Sequence, residues 1–370
     1  MTGLPRLIAF YLPQFHPIPE NDGWWGRGFT EWTNVTRTAP RFRGHYQPHL
    51  PADLGFYDLR LPEAREAQAA LAREFGIHGF CYYHYWFNGR RILERPFTEV
   101  LASGSPDLPF CVCWANENWT RGWDGSGKVL LEQTYEDDDD RHHVRSLAPA
   151  LRDERYIRVK DRPLVLIYRA SRMPDPARAV GVWRDEARRA GVGEIYLCNV
   201  ECASSEHGLA PKAGFDAGVE FAPDWTILDE PRRRNALWRA AAAVGLSPRA
   251  YAENRVHDYA EMARRMLAKP TPSYVRFPCV TPCWDNSARR RTNALIIDGS
   301  TPELYERWLR DAIRTFRPPS ADENLVFVNG WNEWAEGNHL EPCQRWGRGY
   351  LEATRAAIGG PAVSRPVPAA

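Results

Sequence analysis

Short apolar runs recur along the chain without strict polar alternation, which is the pattern of parallel strands covered on both faces. Eight strands are predicted: Leu7–Leu12, Gly79–His84, Phe110–Trp114, Leu164–Tyr168, Ile195–Asn199, Ala217–Phe221, Tyr274–Val280 and Leu325–Asn329. Between most of them lie stretches with apolar residues at helical spacing. The clearest is Pro302–Phe316, where Leu304, Trp308, Leu309, Ala312, Ile313 and Phe316 form one stripe; others are Pro62–Phe75, Asp138–Leu151, Pro174–Ala190 and His257–Leu267. Proline near the start of several suits a first helical turn, where its missing N–H breaks no bond. Eight strands alternating with helices in 370 residues predict an α/β fold, a single (β/α)8 TIM barrel with long loops at its C-terminal face. The barrel is assigned to residues 1–358, and the Pro-, Gly- and Ala-rich stretch 359–370 to a disordered tail. The longest connection, residues 13–62, is expected to fold over the barrel mouth, and residues 232–249 to add a helix to the sixth connection.

In a barrel the C-terminal ends of the strands converge on one cavity. The second strand ends in Tyr82-Tyr-His-Tyr-Trp86, the third in Trp114-Ala-Asn-Glu-Asn-Trp119, the fifth in Asn199-Val-Glu201 and the seventh in Thr281-Pro-Cys-Trp-Asp285. Candidate substrate contacts are therefore Tyr11, His16, Trp32, His84, Tyr85, Trp86, Trp114, Asn116, Glu117, Trp119, Tyr168, Glu201, Trp284 and Asp285. Each has an ordinary alternative role: tyrosines as core aromatics, His84 as a satisfied hydrogen-bonding residue, Glu201 or Asp285 as a loop acid. Fifteen tryptophans are a heavy load. Several fall in polar, glycine-containing segments such as Asp22-Gly-Trp-Trp-Gly26, where an aromatic binding groove explains them better than core packing.

The most informative segment is Gly330-Trp-Asn-Glu-Trp-Ala-Glu-Gly-Asn-His-Leu-Glu341, directly after the eighth strand. It sets Glu333 and Glu336 among tryptophans, and removing a carboxylate from water is costly unless its charge is used. Two carboxyls in an aromatic cleft suit glycoside cleavage, one protonating the leaving oxygen and one meeting the positive charge developing on the sugar. Trp331, Asn332 and Trp334 join the candidate contacts, the indoles as platforms for a pyranose ring. In a straight strand, residues three apart point to opposite faces. Glu333 and Glu336 share a site only if the chain turns, which Gly330 and Gly337 permit. Otherwise one acid is hydrogen-bonded in a loop and the other solvated.

Composition narrows the chemistry. The 48 basic and 47 acidic residues leave a net charge of +1, with no field to attract nucleic acid or an anionic membrane. No G-x-G-x-x-G or P-loop pattern follows a strand, so no nucleotide cofactor is expected. Among the eight cysteines, Cys81, Cys111, Cys113 and Cys198 fall in predicted strands as small apolar residues. Neither Cys111 with Cys113 nor Cys279 with Cys283 has a matching second ligand pair, so no metal site is expected. The acidic run Glu136–Asp140 reads as a helix start, and Arg289-Arg-Arg291 as a surface turn in preference to a grip on an anionic sugar. No stretch of eighteen apolar residues or leader pattern occurs, giving the expectation of a cytoplasmic protein with no membrane span.

Five segments together carry a family resemblance: Ile8-Ala-Phe-Tyr-Leu-Pro-Gln-Phe-His16, Gly28-Phe-Thr-Glu-Trp-Thr-Asn34, Gly79-Phe-Cys-Tyr-Tyr-His-Tyr-Trp86, Trp114-Ala-Asn-Glu-Asn-Trp119 and Trp331-Asn-Glu-Trp-Ala-Glu-Gly337. They resemble, in order and along the whole chain, bacterial WbsX-type proteins, described as glycosyltransferases of polysaccharide loci and related to glycoside hydrolase family 99. That resemblance implies a metal-free, retaining (β/α)8 enzyme acting on an α-linked oligosaccharide or polysaccharide. It implies that Glu333 assists the sugar's own 2-hydroxyl in forming a 1,2-anhydro sugar, and that Glu336 is the general acid/base. Synthesis of a polysaccharide and non-catalytic glycan binding are the other readings. The spacing Asp-x-Asp within Asp137–Asp140 falls at the helix start, not at a nucleotide-sugar site.

Overall fold

The computed structural model describes residues 3–121, 128–228, 231, 240–241, 244–246 and 249–359. Eight parallel strand positions close a barrel: Arg6–Tyr11, Ile77–Phe87, Phe110–Trp114, Arg162–Ile167, Tyr196–Glu201, Ala217–Glu220, the seventh at Arg276–Phe277 and Cys279–Val280, and Leu325–Val328. The first and last strands pair directly, with Ile8 opposite Phe327 and Ala9 opposite Val328. Pro278 splits the seventh strand. Its first half pairs with the sixth strand and its second half with the eighth, and the Pro278 carbonyl accepts from Phe327 N at 2.8 Å. A residue with no N–H cannot continue a ladder on both sides, and a strand change at proline resolves this.

The eight predicted strands correspond to these positions with ends shifted by a few residues. The second runs on to Phe87 because it turns into a hairpin with Arg90–Ile92. The five predicted helices occur at Pro62–Glu74, Asp137–Leu151, Pro176–Arg189, Tyr259–Leu267 and Pro302–Thr315. Caps set their starts: Asp175, Asp258 and Thr301 accept from Arg178 N, Glu261 N and Leu304 N, satisfying donors that a helix leaves free. Asp258 ends a strand of its own, Arg255–Asp258. It pairs with Leu295–Asp298, which in turn pairs with Trp284–Asp285, a small sheet beside the barrel that periodicity had not suggested. The 13–62 connection contains two short helices, Pro19–Trp25 and Glu31–Arg37. The tail from residue 360 and most of 232–249 lie outside the described residues.

Alternation along each strand sorts side chains between the barrel interior and the helical layer. Phe10 meets Tyr83, Phe221 and Phe327 across the interior at centroid distances of 5.6, 5.9 and 5.6 Å. Trp114 turns the other way and stacks on Trp183 of helix Pro176–Arg189 at 5.7 Å. All eight cysteines are buried and free. No helix among the described residues is long and apolar enough to cross a membrane.

The tightest strand approach is at Gly79, where an added Cβ would lie 2.2 Å from the Pro109 carbonyl oxygen and 3.0 Å from Ile157. Backbone cannot yield as a flexible side chain can. Gly79→Ala is therefore expected to destabilise the fold by about 1–3 kcal/mol or more, read as a lower urea midpoint; an unchanged midpoint would contradict the packing described.

Candidate active site

After the eighth strand the chain leaves extended geometry at once. Trp331 N donates to the Phe10 carbonyl at 2.7 Å and Gly330 N to Asn338 Oδ1 at 3.0 Å. Asn332–Glu333 pairs antiparallel with Asn338–His339, and Trp334–Glu336 forms a single 3-10 turn. Residues three apart eclipse in a 3-10 turn, so Glu333 and Glu336 come to one side. Gly337 closes the turn at φ 55°, a left-handed conformation, and an added Cβ there would lie 3.0 Å from Asp285 Cβ. The turn required for a shared site is present.

Both carboxylates converge on Arg289. Its Nη2 lies 2.8 Å from Glu333 Oε1 and 3.0 Å from Glu31 Oε2, and its Nη1 lies 2.8 Å from Glu336 Oε1. The Arg289 side chain is 12% exposed and Glu31 is fully buried. Arg289 is thus no surface turn, although its neighbours Arg290 and Arg291 are exposed. Burial works against the Arg289 charge, but Glu31, Glu336 and Glu333 outweigh it and hold the guanidinium well above its ordinary value. Burial pushes the Glu333 carboxyl up to about 8; Arg289 opposes this, while Glu336 and Glu31 add to it. Burial likewise raises Glu31. The cluster holds three carboxyls and one guanidinium, and a proton on Glu333 lessens the imbalance.

Glu333 and Glu336 face a cleft of about 310 Å³ at the C-terminal ends of the strands. Its lining includes Leu12, Tyr83, Tyr85, Tyr168, Phe221 and Asn329 from strand ends, with Trp24, Trp25, Trp119 and Trp284 from the connections between barrel strands. Of the residues expected at substrate, the structure brings Tyr85, Glu117, Trp119, Tyr168, Trp284, Glu333 and Glu336 together there. Gln14 Nε2 donates to the Tyr85 hydroxyl at 2.9 Å, and Glu117 Oε1 accepts from Arg169 Nη1 at 2.7 Å.

The other expected contacts lie elsewhere. Along Tyr82–Trp86 only the odd positions face the cleft. His84 Nε2 lies 2.9 Å from His143 Nε2 of helix Asp137–Leu151, and Trp86 Nε1 donates to Asp139 at 2.9 Å. Strand alternation sends them outward, against the expectation that they touch substrate. Trp114 and Tyr11 follow the same rule, the Tyr11 hydroxyl donating to Gln68 Oε1 of helix Pro62–Glu74 at 2.7 Å. Glu201 is buried against Tyr274 and, at 3.6 Å, Arg276. His16, within the first connection, is buried, and desolvation pushes its imidazole down to about 4.

Trp331 and Trp334 are 0% and 1% exposed and cannot be platforms. Trp331 packs on Phe80 at 4.9 Å. Trp334 stacks on His339 at 3.8 Å and donates to Glu341 at 2.6 Å. Trp32 is packed between Phe15 and Trp334. Asn332 and Asn116 are backbone staples. Asn332 Oδ1 accepts from Leu12 N at 2.7 Å and its Nδ2 donates to the Leu12 carbonyl at 3.0 Å. Asn116 makes the same pair of bonds to Arg169, at 2.7 and 2.9 Å. Asp285 accepts from His45 at 2.7 Å, Gln47 at 2.6 Å and Ser287 N at 2.8 Å, and so fixes the turn that presents Arg289.

In fold, the barrel resembles solved structures of glycoside hydrolases and related proteins. It superposes on the GH99 endo-alpha-mannosidase of Bacteroides thetaiotaomicron with a TM-score of 0.54 at 14% identity, covering 95% of this chain and 96% of that one. A solved structure described as a glycoside hydrolase-like protein gives a TM-score of 0.60 at 13% identity, covering 96% and 94%. By sequence, the family model described as Glycosyltransferase WbsX matches residues 7–354, and the chain belongs to that family. It is 46% identical over 365 residues to the uncharacterized protein WxcX of Xanthomonas campestris pv. campestris strain B100, covering 96% of this chain and 51% of that protein. The chain spans about half the length of the curated relatives it matches.

Removing the Arg289 guanidinium leaves three facing carboxyls without their cation. Arg289→Met is expected to destabilise the fold by about 3–5 kcal/mol at pH 8 and by less at pH 5, where protons replace the lost charge; equal losses in urea melts at both values would refute the clamp. A separate effect follows from Glu333. Between its ordinary value of 4.5 and about 8 the folded chain holds a proton that the unfolded chain releases. Unfolding free energy therefore falls as pH rises across that window. Glu333→Gln should flatten the slope measured by denaturant midpoints, and an identical slope in both proteins would count against the raised carboxyl.

Proposed function

We propose that this chain is a retaining glycoside hydrolase or transglycosylase acting on an α-linked mannose- or rhamnose-type bacterial polysaccharide, or on its lipid-linked precursor, in the cytoplasm. The observation that carries this reading is the convergence of Glu333 and Glu336 on one side of a 3-10 turn, at the floor of an aromatic cleft. Trp24, Trp25, Trp119 and Trp284 would offer rings to the apolar faces of sugars, while Gln14, Glu117 and Asn118 would offer polar atoms to hydroxyls. A cleft lined mainly by aromatic and uncharged polar side chains suits an uncharged glycan.

In the mechanism proposed, ionised Glu333 takes the proton of the sugar's 2-hydroxyl as that oxygen attacks the anomeric carbon. Glu336 gives a proton to the departing oxygen. The bond from the anomeric carbon to the leaving group breaks, and a 1,2-anhydro sugar forms with no bond to the protein. Glu336 then takes a proton from water, or from an acceptor hydroxyl in a transfer, as that oxygen attacks the anomeric carbon with a second inversion; the bond from that carbon to the 2-oxygen breaks, and Glu333 returns its proton to the 2-oxygen. Arg289 favours the ionised form of Glu333 that the first step requires, against the burial that raises it.

A second reading, a glycosyltransferase of polysaccharide synthesis, is favoured by the family's own description. The same carboxyl pair would then pass the sugar to an acceptor hydroxyl. The two readings part on the donor: a hydrolase needs only a glycan, a transferase an activated sugar.

The deciding experiment follows turnover of α-linked mannose and rhamnose oligosaccharides by proton NMR. Cleavage is expected to release the α-anomer first, and Glu336→Gln is expected to lose at least a hundredfold in kcat with folding intact. Full activity in the variant would remove Glu336 from its role. Saturable binding of a nucleotide sugar without cleavage of any glycan would favour the transferase.

A further inference from the structure

Outside the cleft, the fold assembles a ligand set that no sequence spacing announces. His49, Cys283 and His339 are all buried, and their potential donor atoms lie within 4.8 Å of one another. They come from three separate segments: the connection after the first strand, the loop that follows the seventh strand, and the return strand Asn338–His339 after the eighth. We propose that these three side chains form a binding site for a zinc-class divalent cation, with water as the fourth ligand.

The geometry fits such an ion closely. His49 Nδ1 and His339 Nε2 are 3.0 Å apart. Two nitrogens on a tetrahedral zinc, at bonds of about 2.0–2.1 Å, stand about 3.3 Å apart, so seating the ion requires the rings to part by only a few tenths of an ångström. The two imidazole planes cross at 85°, which lets both nitrogens point to one centre without the rings colliding. Each ring is held from behind: Tyr46 lies on His49 at 4.1 Å, and Trp334 stacks on His339 at 3.8 Å. His339 Nδ1 lies 2.9 Å from the Glu341 carbonyl oxygen. Donation there fixes the tautomer and leaves Nε2 with its lone pair toward the site, the outer hydrogen bond that metal-bound histidines ordinarily make.

The donor set of two imidazoles and one thiol selects zinc over the hard cations magnesium and calcium, which prefer oxygen. Next to it lies a cavity of about 80 Å³ lined by His49, Cys283, His339, Ser300 and Arg345, with room for the water. Binding shifts the His49 proton from Nδ1 to Nε2, freeing Nδ1 as a ligand, and displaces the Cys283 thiol proton, which leaves to solvent as the metal–sulfur bond forms. In the structure His49 Nδ1 and His339 Nε2 share a single hydrogen bond. The site is separate from the reading of the cleft: its ligands are not the two acids. It would act on them mechanically, since His339 lies in the strand paired with Asn332–Glu333.

The test uses the full chain, stripped with a chelator and titrated with cobalt(II) and then zinc(II). One equivalent of cobalt is expected to give the near-ultraviolet band of a thiolate–cobalt bond, together with visible bands of four-coordinate strength, both bleached by one equivalent of zinc. Cys283→Ser should abolish the near-ultraviolet band. His49→Gln and His339→Gln should each weaken binding at least tenfold, whereas His142→Gln, at an exposed histidine, should leave it unchanged. No band in the parent protein, or a band that survives Cys283→Ser, would overturn the proposal. Should Cys283→Ser fail to fold, the parent titration and the two histidine variants decide the matter.

Discussion

Arg289 is the constraint on which the site depends. A carboxylate loses much of its hydration on burial, and three of them in contact would repel one another strongly without a cation between them. The Arg289 fork reaches Glu31 from the first loop and Glu333 and Glu336 from the last. It therefore joins the two ends of the chain at the barrel mouth. A lysine would offer a point charge where these acids meet a planar fork with several donors. The turn that delivers Arg289 is itself anchored by Asp285, through His45 and Gln47. The charge cluster and the loop architecture are thus one arrangement: neither the acids nor the arginine could be buried alone.

The barrel was legible because its strands are continuous apolar runs and its helices amphipathic stripes, so local pattern and global fold agree. Pro278, visible in the sequence, did not by itself show that the seventh strand divides between two neighbours. The turn carrying Glu333 and Glu336 was legible from Gly330 and Gly337. Other site features were hidden for specific reasons. Arg289 stands in a run of three arginines whose other members are exposed, and only the fold decides which one turns inward. The tryptophans flanking the acids looked like sugar platforms, yet Trp331 and Trp334 are the packing that holds the turn. His84 and Trp86 belong to an aromatic cluster whose period of two turns them toward the helices. The grouping of His49, Cys283 and His339 depends on loop closure between distant segments, which no spacing rule encodes.

Asn116 and Asn332 share a logic. Each spends its side-chain amide on both backbone groups of one residue in a neighbouring loop, Arg169 or Leu12. Such a bond pair imitates a strand partner where the ladder has ended. The loops at the mouth are in effect continuations of the barrel, which is how irregular segments can hold carboxylates in fixed positions.

The divided seventh strand has a consequence for motion. The cylinder is stitched by broad ladders almost everywhere, with five register pairs between the second and third strands. At the Pro278 break it is held by two pairs on either side. A closed ring under thermal agitation parts first at its thinnest link, and local opening draws on the segments with fewest backbone bonds. This seam, with the shortest ladders of the cylinder, leads directly into Thr281–Asp285 and the Arg289 turn. The least tightly woven part of the scaffold is the part that carries the central cation.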